Sequence, residues 1–403
     1  MLITNVMKLR LYCDSNEALL FDQMMKTYAA ACTEVSAYSF DNRIYTNTAR
    51  LNKELYEYIR SKYQLKAQLT QSVFKTVAAR YKSIKTQMKN NPYTYTDSKS
   101  KKKRKISKNL DWLVKPVSFQ RPQADLVRNR DYSFTEDMKY LSVQTLNKRI
   151  KVKYTANGFT SFMDGSWTFG TAKLVKSCGK YFLHVSVSKE IDDFDITKAD
   201  TYVGTDRGLI NLSVSYDYNG NNHYVNGSEI TKKRNRYCRT RKSLQKKQTK
   251  GSKKVLKRLS GRENRWMNDV NHCLTKALVD NYPSGTVFGI EDLSGVSFDE
   301  KTNNISKDNR RELHSWAFYD WEMKLTYKAD RKGSKVVKFD PQYTSQRCPH
   351  CGKIDKTNRN RNTHTYRCKS CGFICNDDET AARNLLELTK RYISGEENPK
   401  FKK

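Results

Sequence analysis

Four cysteines constrain the fold of this chain more than any other feature. Cys348 and Cys351 form one C-x₂-C pair, Cys368 and Cys371 form a second, and sixteen residues separate the pairs. This is the spacing of a zinc ribbon, in which four thiolates surround one Zn²⁺ at about 2.3 Å. Four thiolates leave no coordination position for water or substrate. The spacing therefore predicts a single structural zinc in a ribbon over residues 345–375.

Two nearby residues are alternative zinc ligands. His350 lies inside the first cysteine pair, and Cys375 lies just outside the second. Either could replace a thiolate, and the sequence leaves both possibilities open. The remaining cysteines are scattered and are predicted to be free thiols: Cys13, Cys32, Cys178, Cys238 and Cys273.

The charge of the chain predicts a polyanionic partner. Lys and Arg number 76 against 42 Asp and Glu, which gives a net charge of +34, and solubility alone does not require so large a charge. No apolar stretch approaches the ~18 residues of a membrane-spanning helix, so nucleic acid is favoured over a membrane. The N-terminal residues MLITNVMKLRLYC do not resemble a secretory signal, and we expect a cytoplasmic, nucleoid-associated protein.

The first half of the chain predicts a β-rich domain interrupted by helices. A strand is expected at residues 3–13, and apolar residues then recur at helical spacing from Leu20 to Ala31 and from Leu69 to Ile84. The basic stretch Lys99 to Lys108 predicts an exposed loop or a phosphate-contacting segment. Alternating short stretches over 115–196 predict strands, plausibly of a small barrel.

The second half predicts an α/β layer with a mixed sheet. Residues 201–218 are interpreted as one strand, closed by the hairpin signal Asn219-Gly220. Further strands are expected at 286–290 and 335–339, with helices at about 311–330 and from Asp377 onward. The basic tail, Lys400 to Lys403, is expected to be disordered.

The most basic stretch of the chain runs from Lys232 to Arg265. It holds sixteen Lys or Arg and a single acid, Glu263, in 34 residues. Such a stretch is a candidate surface for phosphate backbones, as is the ribbon segment from Lys353 to Arg367. The candidate nucleic-acid-binding residues are Lys232, Lys233, Arg234, Arg236, Arg239, Arg241, Lys242, Lys246 and Lys247.

Three acids stand where carboxylates could share metal ions. Asp206 lies within an apolar stretch, Glu291 follows a strand directly, and Asp378 opens the last helix beside Asp377. Each also has an ordinary explanation: Asp206 as the partner of an arginine, Glu291 as a loop acid, and Asp377 or Asp378 as a helix N-cap. Cleavage of a phosphodiester uses carboxylates that converge on one or two Mg²⁺ ions.

The order of the motifs resembles that of the TnpB (OrfB) family of transposon-encoded RNA-guided nucleases, which are related to compact type V CRISPR effectors. The motifs are GTDRG from Gly204, IEDL from Ile290, YTSQRCPHCG from Tyr343, CKSCG from Cys368 and DETAARN from Asp378. The resemblance implies that Asp206, Glu291 and Asp378 are RuvC-type Mg²⁺ ligands. Thr380 stands where the family usually has Asn, a position that is not a metal ligand.

The resemblance also implies a multidomain α/β architecture. A RuvC/RNase H-like nuclease domain would comprise 199–344 and 376–395, with the zinc ribbon inserted at 345–375. A wedge-like β-barrel domain would comprise 1–14 and 115–198 and carry a helical recognition insertion at 15–114. Residues 396–403 would form the basic tail.

The implied activity is cleavage of DNA chosen by a guide RNA. Base pairing would read the target sequence, while the protein reads a short flanking DNA motif. The expected partners are guide RNA and target DNA, without a membrane, and a monomer is the expected state. Two alternatives remain: an RNA-guided DNA-binding repressor that does not cut, and a zinc-ribbon nucleic-acid binder or transposase accessory protein without a guide.

Overall fold

A computed structural model of the chain describes residues 2–98, 100, 102–208, 210–293, 318–360 and 363–402. The chain divides into two compact units, Leu2–Glu190 and Ile191–Lys403. Both units combine helices and sheets, which confirms a mixed α/β fold. No helix in the described ranges has the length and apolar composition that crossing a bilayer requires.

The first unit contains a seven-stranded antiparallel sheet. Its spatial order is β4-β8-β9-β1-β7-β6-β5. The edge strands are β4 and β5, and an isolated bridge joins Arg128, which follows β4, to Tyr132 of β5. The sheet is a half-barrel, where a small barrel was predicted. Its strands are β1 (Leu2–Tyr12), β4 (Gln123–Leu126), β5 (Tyr132–Phe134), β6 (Tyr140–Gln144), β7 (Arg149–Thr155), β8 (Thr168–Ser177) and β9 (Lys180–Glu190).

Three helices follow β1 and pack with the sheet in one apolar core. They are α1 (Ser15–Asp41), α2 (Thr48–Tyr63) and α3 (Ala67–Asn90). Asp14 caps α1 in a capping box with Glu17, which satisfies backbone donors at the start of the helix. Both predicted helical stripes are confirmed, since Met24 and Tyr28 in α1 and Val73 in α3 are buried.

The basic stretch after α3 is not a simple loop. Strands β2 (Tyr93–Thr96) and β3 (Lys103–Ile106) pair as an antiparallel hairpin. The prediction of a loop was therefore wrong for Lys103–Ile106. Alternation of Tyr and Thr in β2 is typical of a strand. Its partner β3 was not predicted because it is composed mainly of Lys and Arg, which do not form a strand pattern.

The second unit is built on a five-stranded mixed sheet of order β12-β11-β10-β13-β14. Strands β10 and β13 are parallel, as are β13 and β14, whereas β10, β11 and β12 pair antiparallel. The strands are β10 (Thr201–Asp206), β11 (Asn211–Asp217), β12 (Asn222–Asn226), β13 (Thr286–Glu291) and β14 (Lys335–Phe339).

The prediction of one strand over 201–218 was wrong. Strand β10 ends at Asp206 and the chain reverses, so that Val203 pairs with Asp217 of β11. Asp206 is therefore the last residue of a strand and is not enclosed within one. The Asn219-Gly220 hairpin was predicted correctly and joins β11 to β12.

Helices cover the two faces of this sheet. On one face, Val203, Phe288 and Ile290 pack against α5 (Lys250–Asp280) and α6 (Phe318–Arg331). On the other face lies α7 (Asp377–Ile393), whose Leu385 and Leu388 pack with Phe339. The predicted helix at about 311–330 agrees with α6, and its residues before 318 lie outside the described part of the chain.

The basic stretch from Lys232 to Arg265 is helical. It spans most of α4 (Ser228–Lys247) and the first half of α5. Described side chains of α4 include no buried residue. Glu263 of α5 forms an ion pair with Arg241 of α4, so the single acid of the stretch links the two helices.

The C-terminal tail is ordered where the sequence predicted disorder. Phe401 is buried beside Phe339, Leu385 and Leu388. The guanidinium of Arg347 lies 4.5 Å from the centre of the Phe401 ring. One aromatic residue among lysines is a weak signal in a sequence, but its burial against α7 fixes the tail.

Replacing Gly204 with Ala should destabilise the second unit by about 3 kcal/mol or more, because overpacking against backbone cannot relax by rotation of a side chain. A Cβ at this position would lie 2.2 Å from the carbonyl oxygen of Ala382 and 2.2 Å from the amide nitrogen of Leu386. Chemical denaturation would measure the loss. Gly251→Ala in the exposed first turn of α5 is the matched control and should leave stability unchanged or slightly higher.

Candidate active site and zinc ribbon

The first two acids lie side by side at the carboxyl ends of parallel strands. Thr205 of β10 pairs with Ile290 of β13, so Asp206 and Glu291 occupy equivalent positions one residue further on. Side chains alternate between the faces of a strand. Asp206 therefore points to the same face as Gly204, which is the face covered by α7. Glu291 points to that face with Gly289.

Helix α7 approaches these strands closely. Besides the contacts at Gly204, a Cβ at Gly289 would lie 1.8 Å from the hydroxyl of Thr389. The two glycines let the helix approach both strands closely, through its backbone at Gly204 of β10 and through the side chain of Thr389 at Gly289 of β13. The N-terminus of α7 then reaches the strand ends where Asp206 and Glu291 lie, and it brings Asp378 with it.

Asp206 is the electrostatic centre of the cluster. Desolvation raises the pKa of its carboxyl well above the usual range, and the neighbouring Glu291 and Asp378 raise that pKa further. The guanidinium of Arg359 partly opposes these effects. Glu291 and Asp378, although distant in sequence, therefore both lie near the carboxyl of Asp206.

Glu291 is oriented by a hydroxyl. Thr344 donates a hydrogen bond of 2.5 Å to its Oε1. Burial raises the pKa of Glu291, while Thr344 and the guanidinium groups of Arg207 and Arg359 lower it. Thr344 lies in the YTSQRCPHCG motif. The sequence predicted a role for the cysteines of this motif but none for its threonine.

Asp378, and not Asp377, belongs to the cluster. Asn211 donates a hydrogen bond of 2.9 Å to its Oδ2, and burial raises the pKa of its carboxyl. Neither acid is the N-cap, because the side chain of Asn376 accepts the amide of Asp378. Asp377 is fully buried and paired with Arg359 at 2.7 Å and with His364 at 3.3 Å.

Arg359 is a site residue that the sequence did not identify. It was expected to contact nucleic acid from the ribbon, but its guanidinium holds Asp377 and lies 4.0 Å from Oδ1 of Asp378. Its position nineteen residues before Asp378 in sequence gives no hint of this contact. Arg361 of the same segment lies outside the described residues.

Arg207 supports the opposite side of the cluster. Its side chain is buried, donates a hydrogen bond of 2.5 Å to the carbonyl oxygen of Glu291 and lies 3.6 Å from the carboxylate of Glu322. Its guanidinium also lies 5.4 Å from the centre of the Trp321 ring. Arg207 therefore ties the ends of β10 and β13 to α6.

Asn384 connects α7 to the loop before the ribbon. Its amide nitrogen donates to the carbonyl oxygens of Thr344 and Arg347, each at 2.8 Å, and its amide oxygen accepts from Nη1 of Arg347 at 2.9 Å. These bonds fix Thr344, which in turn orients Glu291. The final residue of the DETAARN motif thus has a positioning role that its sequence did not reveal.

The four cysteines are brought together as predicted. Their sulfurs all lie within 4.8 Å of one another, and the Sγ–Sγ distances of Cys348 to Cys371 and of Cys351 to Cys368 are each 3.6 Å. A tetrahedron with Zn–S bonds of about 2.3 Å has edges of roughly 3.8 Å. The thiolates therefore fit one zinc ion.

Neither alternative ligand joins this group of cysteines. The thiol of Cys375 lies 2.9 Å from the hydroxyl of Thr380, and the ring of His350 stacks on Phe373. The ribbon sheet consists of β15 (Arg359–Asn360), β16 (Thr365–Arg367) and β17 (Ile374–Asn376), which leads directly into α7.

The three acids are spaced more widely than the cysteines. Among the described residues, the four cysteines are the group of potential ligands whose atoms all lie within 4.8 Å. A pair of metal ions about 3.5–4 Å apart distributes its ligands over a wider span. Three carboxylates with raised pKa values, facing one another at the same strand ends, fit Mg²⁺, which prefers carboxylate oxygens.

Most of the predicted nucleic-acid-binding residues lie exposed on α4. Arg241 differs, because it is half-buried in its ion pair with Glu263. Arg234 is also half-buried. The amine of Lys233 lies 4.5 Å from the centre of the Trp266 ring in α5. The exposed members of the predicted set are Lys232, Lys233, Arg236, Arg239, Lys242, Lys246 and Lys247.

Two family models match the second half of the chain. One, described as "Probable transposase" (OrfB_IS605), matches residues 184–294, and the other, "Cas12f1-like, TNB domain", matches 318–385. The first range contains Asp206 and Glu291. The second contains the four cysteines and Asp378.

Relatives and a solved structure agree with these models. The CRISPR-associated endodeoxyribonuclease Cas12f1 of Sulfoacidibacillus thermotolerans is 36% identical over 33% of this chain and 29% of its own length. The TnpB-like protein MJ0751 of Methanocaldococcus jannaschii is 30% identical over 38% of this chain and 55% of its own length. The mini-RNA-guided endonuclease CRISPR-Cas_phi3 matches with a TM-score of 0.55 at 11% identity, covering 98% of this chain and 93% of that one.

The matches confirm the resemblance drawn from the motifs. The second half of the chain is similar to TnpB-like proteins and to a Cas12f1 effector. The two matched relatives are each covered over less than two thirds of their length. The solved structure, at so low an identity, supports the fold alone.

Replacing Asp206 with Asn should raise the free energy of unfolding at pH 7 in buffer without divalent cations. Because the pKa of Asp206 is raised in the folded state, ionisation of this carboxyl destabilises the folded protein at every pH above the unfolded-state pKa, and the penalty grows until the pH reaches the folded-state pKa. The penalty fades as the pH falls toward the unfolded-state value of about 3.9, so the gain should vanish there. Asp269→Asn, at an exposed acid of α5, should have no effect; an equal gain from Asp269→Asn would contradict the prediction.

Replacing Cys348 with Ser should remove most of the bound zinc and lower the thermal unfolding midpoint, because a structural zinc contributes directly to folding. Metal analysis of the purified chain would measure zinc per molecule. The matched control is Cys375→Ser, which should retain one zinc. Loss of zinc from the Cys375 variant alone would assign the ligands differently.

Proposed function

We propose that the chain is an RNA-guided DNA endonuclease with a RuvC-like, Mg²⁺-dependent site. The observation that carries this proposal is the meeting of Asp206, Glu291 and Asp378 at the carboxyl ends of β10 and β13 and the start of α7. The names of the relatives, an endodeoxyribonuclease and TnpB-like proteins, support the same class.

Asp206, Glu291 and Asp378 would hold the metal. Mg²⁺ bound there would lower the pKa of a water and offset the negative charge of the phosphate. The chain itself contributes orientation: Thr344 fixes the Glu291 carboxylate, Asn211 fixes that of Asp378, and Arg207 fixes the strand ends. Arg359 contributes positive charge beside Asp378, where a phosphate would approach.

The domain assignment follows from this proposal. Residues 199–344 and 376–395 would form the RuvC-like domain and 345–375 a structural ribbon. The half-barrel would be the wedge-like domain, 1–14 and 115–198, with the helices of 15–114 as its recognition insertion. Guide RNA would be held partly by the exposed lysines and arginines of α4, since phosphate contacts supply most of the affinity for nucleic acid.

The decisive experiment measures cutting and RNA binding separately. The full chain would be expressed with its flanking genomic sequence, and the RNA that co-purifies would be sequenced. A plasmid carrying a matching target would then be incubated with and without Mg²⁺. Asp206→Ala should reduce cutting by at least about a hundredfold, because several kcal/mol of charge stabilisation is lost, and it should leave RNA binding unchanged.

Controls separate the proposal from its alternatives. Asp269→Asn should cut like the wild type. Binding of the target without cutting in Mg²⁺ would identify a guided repressor, and absence of any co-purifying RNA would identify a guide-free zinc-ribbon binder. Cutting by the Asp206 variant at the wild-type rate would place the active site elsewhere.

A further inference from the structure

The β2–β3 hairpin carries a surface that the proposed active site does not use. It forms a separate two-stranded sheet after α3, and it lies outside both ranges matched by family models. Within it Tyr93 pairs with Ile106 and Tyr95 with Arg104. These four side chains share one face of the hairpin, because alternate residues of a strand point the same way.

Three aromatic rings line this face and its edge. The rings of Tyr93 and Tyr95 stack with centres 6.2 Å apart, and Trp112 lies against Tyr93 at 5.8 Å. Tyr93 is 47% exposed and Trp112 is 46% exposed. Rings whose only role was to pack the hairpin against the rest of the unit would be largely buried. The rings of Tyr93 and Trp112 remain about half exposed.

The same hairpin is strongly basic. Residues 93–108 hold seven Lys or Arg and a single acid, Asp97. That acid is engaged by Arg104 at 3.0 Å and by the hydroxyl of Ser100 at 2.9 Å. The opposite face of the hairpin presents Lys103 and Lys105, both exposed.

We propose that this aromatic hairpin, defined by Tyr93–Thr96, Lys103–Ile106 and the adjoining Trp112, binds an unpaired segment of the resident RNA, an inference that rests on the proposed function. Bases stack on exposed aromatic rings at about 1–3 kcal/mol each, and the net positive charge of the hairpin attracts the phosphates. A base-paired duplex covers its ring faces and would leave the three rings without a partner. A protein partner would need acidic groups to match this charge.

The stability of the hairpin favours RNA over DNA as the occupant. An isolated two-stranded hairpin is marginally stable in water. A partner that occupies the hairpin continuously therefore stabilises it more than a partner that binds only transiently. In a guided nuclease the RNA is bound throughout, whereas target DNA is transient. The hairpin therefore fits the resident strand.

Crosslinking and affinity measurements test this inference in the full chain carrying Asp206→Asn, so that cutting plays no part. Ultraviolet irradiation of the chain with its co-purified RNA should crosslink nucleotides to peptides that contain Tyr93 or Trp112. The double variant Tyr93→Leu, Trp112→Leu keeps apolar bulk but removes two flat rings. It should lose these crosslinks and bind an unpaired RNA probe of about 16 nucleotides at least tenfold more weakly.

Two variants serve as controls. Tyr93→Phe keeps the ring and should bind like the unaltered hairpin, and Tyr12→Leu removes an equally exposed ring on β1 and should have no effect. An unchanged thermal unfolding midpoint would show that the double variant is folded. Because none of these readings depends on cutting, the outcome is separable from that of the nuclease assay.

The results that overturn the inference are specific. Unchanged RNA affinity of the double variant, or an equal loss in Tyr12→Leu, would show that the hairpin is not the contact. A loss confined to a single-stranded DNA probe of the same sequence would assign the surface to DNA.

Discussion

The close approach of α7 to β10 and β13 is the constraint on which the candidate site depends. Gly204 and Gly289 leave no room for a side chain between helix and strand. At Gly204 the helix meets the strand through backbone atoms, which cannot adjust by rotamer changes, and at Gly289 it does so through the side chain of Thr389. Since Asp378 lies in the first turn of this helix and Asp206 and Glu291 lie two residues beyond the glycines, the same contact brings three distant acids together.

The electrostatics of the cluster explain why arginines surround it. Desolvated carboxylates that face one another are costly unless cations compensate. Arg207 follows β10 directly and Arg359 lies in the ribbon, and both lower the pKa of Glu291. Arg359 also neutralises the buried Asp377, which leaves Asp378 as the acid free to face Asp206. The ribbon is thereby joined to the acids by an ion pair, so a rigid ribbon helps to fix the start of α7.

Local signals in the sequence predicted much of this arrangement. The cysteine spacing predicted the thiolate cluster, and apolar stretches ending in an acid predicted β13 and its Glu291. The reversal between β10 and β11 was missed although Asp206, Arg207 and Gly208 form a turn signal, because the apolar residues on both sides of them were interpreted as one strand. Arg359, Thr344 and Phe401 were missed for another reason: each acts through a partner far away in the chain, and a single sequence contains no record of such contacts.

The motifs combine chemical and mechanical roles. In GTDRG, Gly204 allows the close approach of α7, Asp206 supplies a carboxylate, and Arg207 connects the ends of β10 and β13. In DETAARN, Asp378 supplies a carboxylate, Ala382 meets Gly204, and Asn384 holds the loop that carries Thr344. Each short stretch therefore places one charged ligand and also fixes the position of another. Asn384 contacts none of the three acids directly. It holds the loop that carries Thr344, and Thr344 orients Glu291. A change at Asn384 is therefore expected to act on Glu291 through Thr344 and to disturb the geometry of the cluster.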